Sequence, residues 1–333
     1  MNFEPCTYAP QRKMHVMDRI HADTAYGNDS QSVATNDAAS TSTLQDEVHD
    51  AATPSREDCA LWAEHLSLSW DTASAANKVH NSSSTSASLN EPALVVRDVS
   101  LHVSKGETVC LVGRSGCGKT TILHALAGLL PAVRGDVCSF GSVITNKPGH
   151  VSYMFQRDLL LEHMSVIDNV CLPLVMHGVP KQQARARVAE LFEPCGLAGY
   201  EQAWPSQLSG GMRQRVAFMR TYAMGNSCVL LDEPFSALDA ITRVEMRSWY
   251  LRMARLYHLS TLAITHDVDE ALMMAQRVYI LAKPTAHACE DAACAPATIV
   301  GEVAVAHSAD MSAADFALTD EFLHAKRQVM ALL

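Results

Sequence analysis

A glycine-rich stretch has the residue types and spacing of a phosphate-binding loop. It consists of Gly113, Arg114, Ser115, Gly116, Cys117, Gly118, Lys119, Thr120 and Thr121. Because glycine has no Cβ, its positions here allow backbone conformations in which successive N–H groups point at a polyphosphate. The ammonium group of Lys119 can reach the β- and γ-phosphates, and the hydroxyl of Thr120 can ligate Mg²⁺. The sequence therefore predicts a binding site for a nucleoside triphosphate.

Two adjacent carboxylates follow an apolar run further along the chain. The run at 229–231 is typical of a buried strand, and Asp232 and Glu233 come directly after Leu231. Such a strand ends at the carboxyl edge of a sheet, beside the phosphate loop. There, one carboxylate can hold the Mg²⁺ shell and the other can orient water.

Two further short motifs carry groups suited to phosphate. His266 follows an apolar segment at 262–265, where the ligand crevice of such a sheet lies. Ser209, Gly210 and Gly211 precede a helical pattern, so they offer a hydroxyl, bare backbone amides and a helix dipole to an anion. Taken alone, His266 also fits an ordinary loop histidine, and a short Ser-Gly-Gly run does not identify a site.

The elements that would position these residues alternate between strand and helix. An apolar strand at 107–112 leads into the phosphate loop, and a helical pattern at 122–127 follows it. Further strands are expected at 61–70, 94–103, 227–231, 260–264 and 277–282, and helices at 181–192, 212–220, 240–257, 267–274 and 316–333. This alternation predicts an α/β fold with a parallel core. The serine-rich stretch at 81–88 predicts a long hairpin loop.

Composition limits the kinds of protein that this chain can be. Its 333 residues are 48% hydrophobic, enough for one large domain or two small ones with a real core. The net charge of −10 argues against a nucleic-acid partner, because domains that bind nucleic acid usually display a basic patch. Since no apolar run could span a bilayer and no secretory pattern opens the sequence, we expect the chain to stay in the cytosol.

The first 58 residues differ from the rest in composition. They are rich in Ser, Thr, Asp, Asn and Ala, with ten acidic against four basic residues. Because they cannot bury enough apolar surface to offset ordering entropy, we expect a disordered extension over 1–58 and a folded domain over 59–333. The ten cysteines lack paired spacing, which favours reduced thiols. Cys117 is either an oxidation-sensitive thiol or a residue at a loop position that tolerates different residue types.

Four motifs follow the phosphate loop in order. They are Tyr153-Met-Phe-Gln156, Leu208-Ser-Gly-Gly-Met212, Val229-Leu-Leu-Asp-Glu-Pro234 with Ser236-Ala-Leu-Asp239, and Thr265-His-Asp267. With these motifs the chain resembles the ATP-binding subunits of ABC transporters over about residues 61–333. The resemblance implies a P-loop NTPase cassette with a RecA-like core, an antiparallel β subdomain, a helical subdomain at about 157–222 and a C-terminal helix at about 315–333.

The resemblance also implies a role for each motif residue. Glu233 would act as the general base or polarise the attacking water, with ATP as the bound nucleotide. Gln156 would contact Mg²⁺ and that water, and His266 would contact the γ-phosphate. Asp232 would belong to the Mg²⁺ site. Trp70, at the end of the first strand, would stack on the adenine or be an ordinary core or rim aromatic.

A second copy of the chain is part of the same resemblance. Ser209, Gly210 and Gly211 would cap the γ-phosphate bound by the opposite subunit, with Asp239 near the dimer seam. Two chains would then hold two ATP molecules head to tail. Because one chain carries one cassette, a homodimer is the natural form, and a heterodimer with a paralogue stays open.

The segment at 157–174 indicates what kind of partner the chain binds. It lies where the family's helical subdomain meets the coupling helices of a membrane permease, and it is similar to importer cassettes of the nitrate, sulfonate, taurine and thiamine-precursor group. The resemblance implies a peripheral ATPase at the cytoplasmic face of the membrane that drives solute uptake through a permease and, indirectly, a substrate-binding protein.

Two alternatives to an importer stay open at this point. An exporter or lipoprotein-release cassette uses the same ATPase chemistry. A soluble ABC ATPase acting on DNA or ribosomes would carry long coiled coils or a second cassette, and neither pattern occurs between Thr121 and Leu208 or elsewhere. The loop at 284–298 is longer than in the importer group, which leaves the solute undetermined.

Overall fold

A computed structural model describes residues 55–70, 93–283, 295–306 and 313–333 of the chain. The predicted hairpin loop at 81–88 lies outside these residues, as do residues 1–54 of the predicted extension. Cys289 and Cys294, in the predicted loop at 284–298, also lie outside them. Within the described ranges, none of the helices is both long and apolar enough to cross a bilayer.

An antiparallel sheet is formed by strands from the first half of the chain. Its order is β2-β1-β4-β5, and the strands are β1 (Cys59–Ser69), β2 (Leu94–Ser104), β4 (Arg134–Ser139) and β5 (Ser142–Val143). The first two strands confirm the predicted pair. The last two were not predicted, because they are short and carry little alternation of apolar and polar residues.

A six-stranded sheet forms the centre of the fold, in the order β10-β9-β3-β8-β7-β6. Its strands are β3 (Thr108–Gly113), β6 (Ser152–Met154), β7 (Cys228–Asp232), β8 (Ser260–Thr265), β9 (Arg277–Ala282) and β10 (Thr298–Ala304). All neighbours are parallel except β10 and β9. This confirms the predicted parallel core. Every residue of β3, β7 and β8 is buried, as expected for strands covered on both faces.

Backbone hydrogen bonds join the two sheets next to the phosphate loop. The N–H of Arg97 donates to the carbonyl of Ala297, and the N–H of Ala297 donates to the carbonyl of Val95, each at 2.9 Å. Ala297 falls within the predicted loop at 284–298, so the described end of that loop is held against β2. The same part of β2 packs against the phosphate loop, where Val96 lies close to Gly118.

Helices cover both faces of the central sheet or form the segment between β6 and β7. They are α1 (Lys119–Leu126), α2 (Val166–Met176), α3 (Lys181–Ala189), α4 (Gly210–Tyr222), α5 (Ala240–Leu256) and α6 (Val268–Met274). The region at 157–222 is mostly helical, as predicted. The helix predicted at 181–192 ends at Ala189.

The prediction of one unbroken helix at the C-terminus, from residue 315 or 316 to residue 333, is wrong. The chain forms α7 (Ala313–Phe316) and then α8 (Asp320–Leu332). Between them, the hydroxyl of Thr319 donates to the carbonyl of Phe316 at 2.8 Å and accepts from the N–H of Phe322 at 3.2 Å. Thr319 therefore starts a new helix, while the buried rings of Phe316 and Phe322 pack edge to face at 5.6 Å. The sequence did not predict this break, because the amphipathic pattern continues across it.

Replacing Thr319 with alanine should destabilise the fold by about 1 kcal/mol, because an N-cap acceptor is lost at α8. The buried residues Phe322, Ala325 and Val329 of that helix belong to the main hydrophobic core. Denaturant unfolding monitored by circular dichroism measures the change. Thr319→Ser keeps the hydroxyl and should lie within a few tenths of a kcal/mol of wild type. Equal stability of the alanine variant and wild type would contradict the capping role.

Candidate functional site

The phosphate loop lies between β3 and α1 and needs glycine for geometric reasons. Gly116 and Gly118 have φ of +76° and +106°, a region that residues with a Cβ rarely adopt. A Cβ on Gly118 would lie 2.8 Å from a methyl carbon of Val96, and one on Gly113 would lie 2.5 Å from the carbonyl oxygen of Leu281. The loop therefore packs closely against both sheets, and larger residues would displace it.

Lys119 is a buried cation at the first position of α1. Its Nζ donates to the carbonyls of Gly113 at 2.8 Å and Arg114 at 3.1 Å, so the loop curls around the ammonium group. Among the ion pairs of the described residues, none places a carboxylate on Lys119. The N-cap residue of α1 is Gly118, which has no side chain that could cap the helix. The Lys119 ammonium thus lies at the N-terminus of α1, where the positive end of the helix dipole also favours an anion.

Asp232 ends β7 next to the start of α1. Its Oδ2 accepts from the hydroxyl of Tyr153 at 2.9 Å, and its Oδ1 lies 3.4 Å from the hydroxyl oxygen of Thr120. Burial raises the pKa of Asp232, while the hydrogen bonds from Tyr153 and Thr120 act in the opposite direction. A mostly buried carboxylate therefore faces the threonine hydroxyl across a short gap.

The oxygen donors of this gap fit Mg²⁺. Magnesium prefers hard oxygen ligands and is usually held by one or two carboxylates together with substrate phosphates. The Thr120 hydroxyl and the Asp232 carboxylate provide such donors 3.4 Å apart, at the edge of the phosphate loop. Gln156 lies on the other side of Glu233, where its Nε2 is 3.2 Å from a carboxylate oxygen.

Glu233 follows Asp232 in a left-handed backbone conformation, with φ of +43°. Its N–H donates to the carbonyl of Ile264 at 3.0 Å, which ties the turn to β8. A non-glycine residue in this region costs on the order of 1 to 2 kcal/mol. The turn directs the side chain away from Asp232: Oε2 accepts from Gln156, and Oε1 lies 3.3 Å from Nδ1 of His266.

The structure thus brings together the three residues that the family resemblance assigned to catalysis. Glu233, Gln156 and His266 come from the ends of three neighbouring strands and meet beside the phosphate loop. The sequence analysis missed two supporting residues. Ser236 donates to the carbonyl of Glu233 at 2.9 Å and accepts from Gln156 at 3.3 Å. Tyr153 donates to Asp232; its only sequence signal was its place three residues before Gln156.

The Ser209 motif and Asp239 lie apart from this cluster. Ser209 caps α4, with its Oγ accepting from the N–H of Met212 at 3.3 Å, and Asp239 caps α5 by accepting from the N–H of Thr242 at 3.0 Å. That N–H lowers the pKa of Asp239. Ser209, Gly210 and Asp239 are exposed. No hydrogen bond between described residues joins them to the phosphate loop.

The other predicted nucleotide contacts differ in accessibility. Trp70 directly follows β1 and its exposed fraction is 57%. Arg114 and Ser115 are exposed on the phosphate loop, whereas Thr121 points into the core. Cys117 is buried, and burial raises the pKa of its thiol, so the thiol is protonated at neutral pH. Its environment is therefore that of a small packing residue rather than a reactive one.

Comparisons with known proteins agree with this geometry. A family model described as "ABC transporter" matches residues 96–236. An aliphatic sulfonates import ATP-binding protein of Burkholderia cenocepacia is 40% identical over 188 residues, 56% of this chain and 68% of that protein. A formylaminopyrimidine import ATP-binding protein of Halalkalibacterium halodurans is 35% identical over 193 residues, 58% of this chain and 75% of that protein. The chain belongs to the ABC transporter family of ATP-binding proteins.

Other relatives are longer than the matched region. An Fe(3+) ions import ATP-binding protein of Rhizobium meliloti is 41% identical over 189 residues, but the match spans only 48% of it. The chain thus spans about half the length of this relative. The solved structure of cbiO1 from Clostridium perfringens, part of the ABC transporter complex cbiONQ, matches with a TM-score of 0.56 and 20% identity. The match covers 67% of this chain and 84% of cbiO1, so the two share the ABC cassette fold.

Replacing Asp232 with asparagine should raise the melting temperature of the ligand-free protein near pH 7.5. Burial raises the pKa of Asp232, so its protonated form stabilises the folded state, and that stability is lost as pH rises through the raised pKa. Asparagine does not ionise and avoids this loss. A gain of a few degrees corresponds to about 1 kcal/mol in a domain of this size. Scanning calorimetry measures it.

The gain should narrow as the pH is lowered from 7.5 into the range of the raised pKa of Asp232, because the aspartate then becomes protonated. Asp158→Asn is the matched control, since Asp158 forms an ion pair with Arg213 at 2.8 Å. That variant should melt at a lower temperature than wild type. A lower melting temperature for the Asp232 variant across this pH range would contradict the assignment.

Proposed function

We propose that this chain is the ATP-binding and ATP-hydrolysing subunit of an ABC importer and couples hydrolysis to solute uptake through a partner permease. One observation carries the proposal: Lys119, Asp232 and the Glu233 cluster lie at one edge of the parallel sheet. The Glu233 cluster consists of Glu233, Gln156 and His266. A polyphosphate site and a hydrolytic group share that edge. The names of the relatives as import ATP-binding proteins favour uptake over export.

ATP binding would use the phosphate loop and α1. The loop N–H groups and the Lys119 ammonium would hold the β- and γ-phosphates, so Lys119 would exchange its contacts with the carbonyls of Gly113 and Arg114 for phosphate oxygens. Thr120 and Asp232 would hold Mg²⁺, with Gln156 beside it. When bound, Mg²⁺ would neutralise negative charge on the phosphate oxygens. Trp70, Arg114, Ser115, Cys117 and Thr121 complete the proposed nucleotide-binding set.

Hydrolysis would depend on the Glu233 cluster. The carboxylate of Glu233 would orient a water molecule and accept its proton as the water oxygen attacks the γ-phosphorus and the bond to the β-phosphate oxygen breaks. Gln156, hydrogen-bonded to Glu233, would help to position that water. His266, 3.3 Å from Glu233, would contact the γ-phosphate. The left-handed turn keeps Glu233 separate from the Mg²⁺ carboxylate, which leaves each carboxylate its own task.

A second copy would complete the site. Ser209, Gly210 and Gly211 lie at the N-terminus of α4, a 13-residue helix at which Ser209 and Gly210 are exposed. They would cap the γ-phosphate held by the other chain. Asp239, exposed at the start of α5, would lie near the seam. We therefore propose a head-to-tail homodimer that closes over two ATP molecules. Residues 59–333 would form the cassette.

The partner permease would dock in a groove next to Gln156. The groove lies among α2, α4 and the segment after β6, and its lining includes Phe155, Arg157, Leu159, Leu172 and Arg220. Arg220 donates to the carbonyl of Leu159 at 2.7 Å, which holds the rim in place. Phe155 and Leu159 are 42% and 50% exposed, and such apolar exposure suits a partner helix.

This docking would place the chain at the cytoplasmic face of the membrane as a peripheral subunit. A substrate-binding protein would act on it only through the permease. An exporter or lipoprotein-release cassette would use the same ATPase chemistry and is distinguished by the permease that co-purifies. The proposal includes no nucleic-acid partner, so DNA- or ribosome-stimulated ATPase activity would favour the soluble alternative.

Glu233→Gln should bind ATP and accumulate as a closed dimer while its hydrolysis rate falls on the order of a hundredfold or more, because the proton acceptor is lost. Lys119→Ala is the matched contrast and should weaken nucleotide binding itself. Size-exclusion chromatography with ATP detects the dimer, and phosphate release measures turnover. A Glu233→Gln protein that hydrolyses ATP at nearly the wild-type rate would refute the role given to Glu233.

Leu159→Asp should reduce co-purification of membrane proteins with the chain by about tenfold, since a charge would be buried against an apolar partner. Leu129→Asp is the control, because Leu129 has a similar exposed fraction, 54%, and does not line the groove. Both variants should bind ATP like wild type. Affinity capture from solubilised membranes with quantitative mass spectrometry provides the measurement. Equal capture by both variants, or no membrane protein with wild type, would count against permease docking at this groove.

A further inference from the structure

We propose that Tyr153 is a positioning residue that fixes the carboxylate of Asp232 for Mg²⁺. The inference rests on the proposed function and extends it to a residue that the family motif does not assign. The tyrosine hydroxyl donates to Oδ2 of Asp232 at 2.9 Å. The other oxygen of Asp232 lies 3.4 Å from the hydroxyl of Thr120, so each carboxylate oxygen has its own neighbour.

Two contacts at opposite oxygens define the rotation of the carboxylate. The terminal torsion of aspartate is broad and has no sharp rotamer of its own. In the described structure, the Tyr153 hydroxyl holds one oxygen and thereby directs the other toward Thr120. Since Mg²⁺ demands near-ideal octahedral geometry, a carboxylate free to rotate would bind it less well. The Tyr153 hydroxyl therefore fixes the orientation of the Asp232 carboxylate and adds no charge to the metal site.

The ring of Tyr153 is itself held in place. Tyr153 lies on β6 opposite Leu230 of β7, two residues before Asp232. Its ring centroid is 4.6 Å from that of Phe155 and 5.6 Å from that of His124 in α1. The strand pairing and the helix that carries Thr120 thus fix the hydroxyl from two sides.

A purely structural role would require only the ring. Phenylalanine would make the same ring contacts with Phe155 and His124, whereas the hydroxyl adds a polar group that must find a partner when it leaves water. Among the hydrogen bonds of the described residues, that partner is Asp232. The geometry therefore separates the two roles of the side chain, and one substitution tests them.

Tyr153→Phe should weaken metal binding while leaving metal-free nucleotide binding unchanged. Mn²⁺ serves as the probe, and its affinity in the presence of a non-hydrolysable ATP analogue is measured by electron paramagnetic resonance. We expect a loss on the order of tenfold, the scale of one hydrogen bond to a charged group. The affinity for the analogue in EDTA should match wild type. The Mg²⁺ concentration for half-maximal ATPase activity should rise by a similar factor.

Tyr250→Phe is the matched control. Tyr250 is buried away from the site, and its hydroxyl is 2.7 Å from the hydroxyl of Thr261, so this change also removes a hydrogen-bonded tyrosine hydroxyl. It should lower the melting temperature without changing Mn²⁺ affinity. Wild-type Mn²⁺ affinity in Tyr153→Phe, or an equal loss in Tyr250→Phe, would overturn the positioning role alone. A wild-type protein that binds neither the analogue nor Mn²⁺ would overturn the proposed function as well.

Discussion

The parallel pairing of β3, β7 and β8 is the constraint on which the rest of the site depends. These strands are buried along their whole length, so polar groups can project only from their ends. The register pairs Val112 with Thr265 and Asp232 with Ile264, which brings three strand ends level at one edge. The phosphate loop, Glu233 and His266 each follow one of these ends, and Asp232 is the last residue of β7. Their proximity is therefore a consequence of strand register rather than of local loop structure.

The same edge separates two carboxylates that are neighbours in sequence. Asp232 still belongs to the buried strand and faces hydroxyl donors, whereas the positive φ of Glu233 turns its side chain toward Gln156 and His266. Burial and hydrogen bonding thus give the two residues different environments although they share one peptide bond. A metal-binding group and a water-orienting group need this separation, since each must face a different part of the bound triphosphate.

The Ser209 motif shows the opposite arrangement. Ser209 and Gly210 are exposed, Ser209 caps its own helix, and within the described residues no hydrogen bond connects them to the phosphate loop. In the proposed dimer, each chain would therefore supply a phosphate loop to one ATP molecule and the N-terminus of α4 to the ATP molecule held by the other chain. The groove beside Gln156 carries the exposed apolar side chains of Phe155 and Leu159. Gln156 and the proposed partner surface therefore share one short segment of the chain.

The sequence by itself determined the phosphate loop, the parallel core and the membership of the family, because glycine positions, buried apolar runs and ordered motifs are local features. It missed β4, β5, β6 and β10, which are short or weakly patterned, and it merged α7 and α8 because apolar periodicity ran across Thr319. Only the tertiary structure decided that Tyr153 bonds to Asp232 and that Glu233 turns away, since residues 79 positions apart meet only when β6 pairs with β7. The local sequence determines which helices and strands form, whereas the register between paired strands determines which side chains come into contact.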